Sequence, residues 1–460
     1  MKKLVLLSVV LSVFSLFGMA KALAANVNCQ NVLSNPQENI PALRKAAEAG
    51  NVEAQVKLAE YYYDGTGVEK NFAEAARWYK KAAAQGNTVA MNELGNMYLD
   101  GEGVEKNTQT GIDWFKKAAD LGYSKSMNNM GYLYYNGEGV EKDYANALRW
   151  FKKAADLGNE DAMNNVGRCY LTGGYGVEKD VAEGLRWYRK AADNGSAYAA
   201  SNLGACYKNG TGVNVDLAEA ARWYRLAAER GNAKSQFELG QMYEYGNGVE
   251  KDFAEAAKWY RLAAEQGDVS SQSKLGNFYE YGVGVPKDYN EMEKWYRLAA
   301  EKNDPKAQHG MGWLYSNGFG GVSKNEKEAT NWYLKAAENG YSLSQYNLGV
   351  RYLTGDGVKK DYDKAFYWFM KAAEQGYAGA QINVGYCYEK GYGVEANARE
   401  AVKWTRRAAD QGDETAMRNL GQYYEHGIGV SKDINEAIRW YEKAVQSGNK
   451  KAEADLKRLK

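Results

Sequence analysis

The two residues best placed for chemistry by type and spacing are Ser271 and Lys274, which form a Ser-x-x-Lys pattern. Penicilloyl-serine enzymes use this spacing to set a lysine beside a nucleophilic serine. Those enzymes also carry Ser-Asp-Asn and Lys-Thr-Gly motifs, and neither motif occurs in this chain. Ser271 also occupies a position where a small residue, Ala or Ser, recurs along the sequence. The pattern therefore favours a packing role for Ser271 over catalysis.

Other patterns give little support for a metal, nucleotide or catalytic site. The only histidines, His309 and His426, are far apart in sequence and have no cysteine cluster nearby. Repeated Gly-x-Gly segments lack the third glycine and the preceding strand of a nucleotide-binding fingerprint. Acidic residues are plentiful, but most fall at helix caps or at exposed helix positions. We therefore predict no catalytic residue, no metal site and no cofactor.

Composition and charge narrow the class of protein. Of the 460 residues, 45% are hydrophobic, which is ample for a large core, but a chain of this length exceeds what one compact core supports. Several domains or a repeat array are expected. Lys and Arg total 59 against 58 for Asp and Glu. Without a basic excess, neither nucleic acid nor anionic lipid is an expected partner.

The N-terminus has the pattern of a secretory signal peptide, which we assign to residues 1–25. Two lysines precede an apolar stretch from Leu4 to Met19, and small residues around Ala24 suit cleavage. The alternative is an uncleaved membrane anchor, but the apolar stretch is shorter than the ~20 residues that span a bilayer. We expect an exported protein, periplasmic, secreted or at the cell surface, with no membrane span after cleavage. Residues 26–50 then form an N-terminal linker and a half-repeat cap.

The strongest signal is a repeat of 36 residues, which occurs eleven times over residues 51–448. Two copies carry one extra residue in an internal loop. Residues 449–460 resemble the first half of another copy and are predicted to form a C-terminal capping helix. Repeats 1 to 11 begin at Asn51, Asn87, Tyr123, Asn159, Ser196, Asn232, Asp268, Asp304, Tyr341, Tyr377 and Asp413. Within a repeat, position 12 is always Tyr and position 28 is always Trp.

The spacing within each repeat predicts two helices. A small residue at position 4, an aliphatic residue at 8, mostly Gly at 9 and Tyr at 12 form the buried stripe of a first helix. A Gly-x-Gly-Val loop follows, and an Asp or Asn then caps a second helix, often with Glu three residues later. One such pair cannot cover its own apolar face. Adjacent pairs must therefore stack, which predicts an all-α solenoid in which the tryptophans serve packing.

These motifs together, Ala-x-x-x-Leu-Gly-x-x-Tyr, Gly-x-Gly-Val-x-x-Asp and Ala-x-x-Trp, resemble the Sel-one-like repeat (SLR) family, a branch of the tetratricopeptide (TPR) superfamily. The resemblance covers residues 51–448 and implies a right-handed α/α superhelix. It also implies a scaffold or adaptor that binds another protein, and exported bacterial members include ones that bind host proteins. The partner, an envelope or host protein, is not identified by the resemblance.

The cysteine-rich branch of this family implies an alternative function, because some of its members resemble β-lactamase or penicillin-binding proteins in activity. That branch places a Cys pair in each repeat. Here Cys169, Cys206 and Cys387 all lie at position 11, and none has a second Cys in its repeat. We interpret them as small apolar residues that fill the core. A disulfide between adjacent repeats is disfavoured because equivalent helices lie about 8–10 Å apart, beyond the Cα separation of ~7 Å that a disulfide tolerates.

Candidate partner contacts come from the first helix of each repeat, which lines the concave face in related solenoids. Positions 6, 10, 13 and 14 vary between copies, although an ordinary solvated face would vary too. Repeats 7 to 10 concentrate aromatic and Arg side chains, the usual anchors of interfaces. Trp313, the one tryptophan outside position 28, is the first choice for an exposed contact. The candidate residues are Tyr281, His309, Trp313, Tyr346, Arg351 and Tyr386.

Overall fold

The computed structural model describes residues 36–174 and 176–460. Over these residues the chain forms twenty-four α-helices and no β-strand, apart from an isolated bridge between Gly174 and Val177. The prediction of an all-α fold is confirmed. The predicted signal peptide, residues 1–25, and Cys29 lie outside the described residues.

Each repeat contributes a first helix, called A, and a second helix, called B. The A helices of repeats 1 to 11 are α2 (Val52–Asp64), α4 (Thr88–Asp100), α6 (Ser124–Asn136), α8 (Glu160–Thr172), α10 (Ala197–Asn209), α12 (Ala233–Tyr245), α14 (Val269–Tyr281), α16 (Pro305–Asn317), α18 (Ser342–Thr354), α20 (Ala378–Lys390) and α22 (Glu414–His426). The B helices are α3 (Phe72–Ala84), α5 (Thr108–Asp120), α7 (Tyr144–Asp156), α9 (Val181–Asp193), α11 (Leu217–Glu229), α13 (Phe253–Glu265), α15 (Tyr289–Glu301), α17 (Glu326–Glu338), α19 (Tyr362–Glu374), α21 (Ala398–Asp410) and α23 (Ile434–Gln446). Helix α1 (Pro36–Glu48) precedes the repeats, and α24 (Lys450–Leu459) follows them.

Most helices begin at a side chain that satisfies a free backbone N–H. Asp268 accepts a hydrogen bond from the N–H of Ser271 at 2.7 Å, and Asn71 accepts one from Glu74 at 3.0 Å. Three A helices begin instead at a tyrosine, Tyr123, Tyr341 or Tyr377, whose side chain makes no cap hydrogen bond. These three helices therefore forgo a contribution of about 1 kcal/mol each.

The loop between the A and B helices needs glycine where it contacts the preceding repeat. Gly284 has a φ of +67°, and a Cβ atom on it would lie 2.1 Å from the carbonyl oxygen of Phe253. Both the left-handed backbone and the close approach exclude a side chain there. The loop of one repeat is thereby seated on the first turn of the preceding B helix.

In several repeats, the tyrosine at position 12 links neighbouring repeats through its hydroxyl group. Arg189 donates a hydrogen bond to the hydroxyl of Tyr207 at 2.9 Å, and Lys152 donates one to Tyr170 at 2.8 Å. Each cation belongs to the B helix of the repeat before its tyrosine. Where the preceding B helix supplies such a cation, the hydroxyl therefore links neighbouring repeats. Leu334 and Met370 stand at the equivalent position before Tyr352 and Tyr388 and cannot donate this bond.

The chain forms two compact bodies, one ending at Asp216 and the other comprising Leu217–Lys460. Within each body, an A helix packs against the B helices that precede and follow it. The buried stripe of each A helix, the paired alanines of the B helices and most of the position-28 tryptophans form the core, with Trp78 1% and Trp295 3% exposed. The other tryptophans at this position are partly buried: Trp114, Trp150, Trp187, Trp223 and Trp368. The tryptophans thus have the packing role predicted for them.

Candidate partner-binding groove

A groove of about 640 Å³ lies in the second body along consecutive A helices. Helices α14 and α16 supply most of its lining, and α12, the B helix α15 and the start of α18 supply the rest. The lining includes Phe237, Ser273, Lys274, Asn277, Glu280, Tyr281, Tyr296, Asp304, Lys306, His309, Gly310, Trp313 and Tyr341. Three of the six candidate contact residues, Tyr281, His309 and Trp313, meet in this groove.

Tyr281 and Trp313 form aromatic walls that differ in exposure. Tyr281, the last residue of α14, is 65% exposed. Trp313 is half-buried, with its ring centroid 5.6 Å from those of Tyr289 and Phe319, which stack on each other at 4.7 Å. Trp313 is therefore only partly exposed, and its part in binding stays a prediction. Its ring is held rigidly and presents only part of its surface to the groove, which suits an anchor because little side-chain entropy remains to be lost.

His309 is half-buried and lines the groove. Its Nδ1 atom lies 2.8 Å from Oγ of Ser344, and its ring contacts Tyr333 and Tyr341 at centroid distances of 5.2 and 5.3 Å. Burial lowers the pKa of His309 to about 4. The imidazole is therefore neutral near pH 7 and contributes shape rather than charge to the groove.

This pKa gives a direct prediction, because the chain has only two histidines. In a titration followed by the NMR signals of the two histidine Cε1 atoms, assigned with a His426→Gln variant, His309 should titrate with a midpoint of about pH 4. The unfolded chain binds a proton near pH 6.5, so stability declines as the pH falls from 6.5 towards 4. His309→Gln should remove that part of the decline. A midpoint near 6.5 for His309 would contradict its burial.

Several polar groups in the groove were not among the candidate residues. The hydroxyl of Tyr296 donates a hydrogen bond to Glu280 at 2.9 Å, and Ser273 donates one to Asp304 at 2.9 Å. Glu280, Asn277 and Ser273 lie at positions 13, 10 and 6, which the sequence had already marked as variable. These three polar residues were missed because the candidate residues were chosen for aromatic or Arg side chains.

Arg351 was predicted as a contact residue, and this assignment is corrected by its burial. It is 9% exposed and its guanidinium binds Glu326 at 3.0 Å and Thr330 at 3.1 Å. It lies at position 11, where Cys169 and Leu314 are fully buried in other repeats. That comparison was possible from sequence and would have placed Arg351 in the core.

The remaining two candidates, Tyr346 and Tyr386, do not line the groove. Tyr346 is half-buried, with its ring 5.0 Å from Tyr377 and 6.0 Å from Phe369. Tyr386 is 39% exposed and packs edge-on against Tyr392 at 5.7 Å. Their part in binding stays a prediction.

The Ser-x-x-Lys pattern does not form a reactive pair. Ser271 is 0% exposed, and its hydroxyl has no hydrogen-bond partner among the described residues. Lys274 binds Glu244 at 2.8 Å instead. Burial alone would lower the pKa of Lys274, but its hydrogen bonds to Glu244 and Tyr245 outweigh burial and raise it. The lysine is therefore protonated and unsuited to activate a serine.

The described cysteines, Cys169, Cys206 and Cys387, are free and buried, as expected for apolar fillers. Burial raises the pKa of the Cys169 thiol to about 11 and that of Cys387 to about 12.

Over residues 36–174 and 176–460, no group of three or more His, Cys, Asp or Glu side chains is arranged to hold a metal ion. No helix among the described residues is long and apolar enough to cross a membrane.

Comparison with known proteins agrees with this architecture. The family described as Sel1 repeat matches eleven consecutive stretches from residue 52 to residue 449, leaving out only residue 414. The crystal structure of a protective antigen present in uropathogenic Escherichia coli strains, which displays an SLR fold, is 35% identical with a TM-score of 0.71, covering 92% of this chain and 90% of that one. A Sel1 repeat protein from Oxalobacter formigenes is 31% identical with a TM-score of 0.55, covering 72% and 93%. Among curated proteins, none matches this sequence.

The chain is an all-α repeat solenoid of the TPR-like class, with stacked helix pairs and a groove lined mainly by A helices. Within that class, the chain belongs to the Sel1 repeat family. Proteins of this family generally mediate protein–protein interaction and are typically non-catalytic.

Proposed function

We propose that this chain is an exported scaffold that binds a segment of a partner protein in the groove of repeats 6 to 9. The observation that supports it best is the meeting of an exposed Tyr281 and a rigidly held Trp313 in one groove on successive A helices. Tyrosine and tryptophan carry most of the binding energy at interfaces, and they do so best on a rigid scaffold.

Export and a host-facing or envelope role are part of the proposal. The signal-peptide pattern of residues 1–25 supports export. A relative of similar length is a protective antigen of uropathogenic bacteria, which favours a partner outside the cell. Pull-downs from envelope extract and from host secretions, each with the mature chain as bait, separate the two sources of partner.

The groove is tested by affinity for the recovered partner. The double variant Tyr281→Ala/Trp313→Ala should weaken binding by roughly 100-fold, because two anchors that contribute about 1.4 kcal/mol each account for that factor. Tyr198→Ala is the matched control, because Tyr198 is also 65% exposed but lies in repeat 5, outside the groove. Titration calorimetry gives both constants. Equal affinities of the double variant and the unaltered chain would refute the groove.

A further inference from the structure

Repeats 6, 7, 10 and 11 carry a glutamate at position 13, and three of these four glutamates pair with a cation of the chain. Glu244 binds Lys274 at 2.8 Å, Glu389 binds Lys390 at 2.6 Å, and Glu425 binds Arg458. The fourth, Glu280, is half-buried, and among the described residues it has no cation within ion-pair distance. A half-buried carboxylate gains more from a cation than an exposed one does.

The ion pair between Glu244 of repeat 6 and Lys274 of repeat 7 shows which contacts a cation would make beside Glu280. The Lys274 ammonium lies 2.8 and 2.9 Å from the two oxygens of Glu244 and 3.2 Å from the hydroxyl of Tyr245. Its nitrogen is also 5.5 Å from the centroid of the Tyr245 ring. Glu280 and Tyr281 repeat this Glu-Tyr sequence one repeat later.

The cation is missing in the later repeat because its position is a glycine. Lys274 is residue 7 of its repeat, and the equivalent residue of the next repeat is Gly310. The Tyr296 ring lies against Gly310, so a Cβ atom there would come within 2.4 Å of it. The chain therefore cannot supply this cation from residue 310 unless Tyr296 moves.

Gly310 and Glu280 both line the groove. Tyr281, Asn277 and Trp313 line it as well, and Lys306, one turn before Gly310, is exposed at its edge. The groove thus combines a carboxylate with two aromatic side chains, which is a favourable environment for an ammonium group.

We propose that Glu280, Tyr281 and Trp313 bind a lysine side chain of the partner protein, in the place that Lys274 takes one repeat earlier. This inference rests on the proposed function and names the anchor that the groove recognises. The lysine stem packs along the aromatic rings, and its ammonium group binds the Glu280 carboxylate.

The probe is the pentapeptide acetyl-Gly-Gly-Lys-Gly-Gly-amide, compared with the same peptide carrying norleucine. The chain is labelled with 5-fluorotryptophan, and the Trp313 fluorine signal is assigned by its loss in Trp313→Phe. The lysine peptide should shift this signal saturably, with a Kd of about 1 mM, as expected for a single isolated anchor. The norleucine peptide should bind at least about tenfold more weakly. Equal shifts with both peptides would overturn the proposal.

Glu280→Gln is the decisive variant, because the amide oxygen still accepts the hydrogen bond from Tyr296 while the charge is lost. It should weaken the lysine peptide about tenfold or more. Glu389→Gln, at the same position of repeat 10, should leave its affinity unchanged. An unchanged affinity in Glu280→Gln would count against the inference.

The same variants separate this inference from the proposed function. If partner affinity falls in Tyr281→Ala/Trp313→Ala but not in Glu280→Gln, the groove binds the partner and lysine is not the anchor. If neither variant affects partner affinity, the groove itself is not the binding site.

Discussion

Replacement of Trp295 by Ala should remove about 4 kcal/mol of stability from repeats 7 and 8, the range known for buried Trp or Phe to Ala changes. Trp295 is 3% exposed and packs in one cluster with Tyr296, Phe278 and Met311. Tyr296 in turn holds Glu280 in the groove. The change should therefore loosen the groove as well as the core, and Trp295→Phe should lose much less.

Hydrogen–deuterium exchange and denaturant unfolding measure this effect, and Trp78→Ala is its matched control. Trp78 occupies the same position in repeat 1 and is 1% exposed. Because each repeat contacts only its neighbours, Trp78→Ala should raise exchange in repeats 1 and 2 and leave the groove intact. Raised exchange in the groove of the Trp78 variant would show that stability is not local. A loss below about 1 kcal/mol for Trp295→Ala would show that the indole is not a core residue.

Replacement of Arg351 by Ala should cost about 3 kcal/mol, because it leaves a cavity and strips polar groups of their partner. The guanidinium binds the Glu326 carboxylate and the backbone oxygens of Glu326 and Asp356, at 3.0 to 3.3 Å, and lies 5.0 Å from the centre of the Tyr333 ring. Burial would raise the pKa of Glu326, but hydrogen bonds from Arg351 and Lys324 outweigh burial and lower it. These contacts join repeats 8 and 9.

Arg351→Met is the informative comparison for this network. Met97 and Met242 occupy the same position in other repeats and are 1% and 3% exposed, so the site accepts methionine by shape. Methionine should recover more than half of the loss in urea unfolding, because it refills the cavity and the Glu326 carboxylate keeps its ion pair with Lys324 at 3.2 Å. If methionine were as destabilising as alanine, the ionic contacts rather than packing would dominate at this site.

Most of the fold could be predicted from the sequence because the eleven copies of the repeat show which positions stay the same and which vary. The uniform Tyr62 and Trp78 positions, the Asp and Asn caps and the loop glycines each predict a local structure that the chain adopts. Internal repetition also contained the information that Arg351 lies in the buried stripe. It was missed because residue type was given more weight than position.

The groove was less predictable because it depends on contacts between repeats. Phe319 comes from the loop of repeat 8, one of the two that carry an extra residue, and packs on Trp313. No spacing rule places a loop side chain on a particular ring. The proposed role of Glu280 likewise depends on the packing of the Tyr296 ring against Gly310, a contact that no spacing rule predicts.

Tyr341 illustrates a conflict between folding and recognition at the helix starts. Its side chain lines the groove but makes no hydrogen bond to the start of helix α18. In the two preceding repeats, Asp268 and Asp304 occupy the equivalent position and cap helices α14 and α16. An aspartate at residue 341 would tighten the helix and erase part of the wall. If the groove binds the partner as proposed, helix stability and ligand choice favour different residues at position 341. Redesign of the binding specificity would best begin at helix N-termini that lack a side-chain cap, because a substitution there removes no capping hydrogen bond.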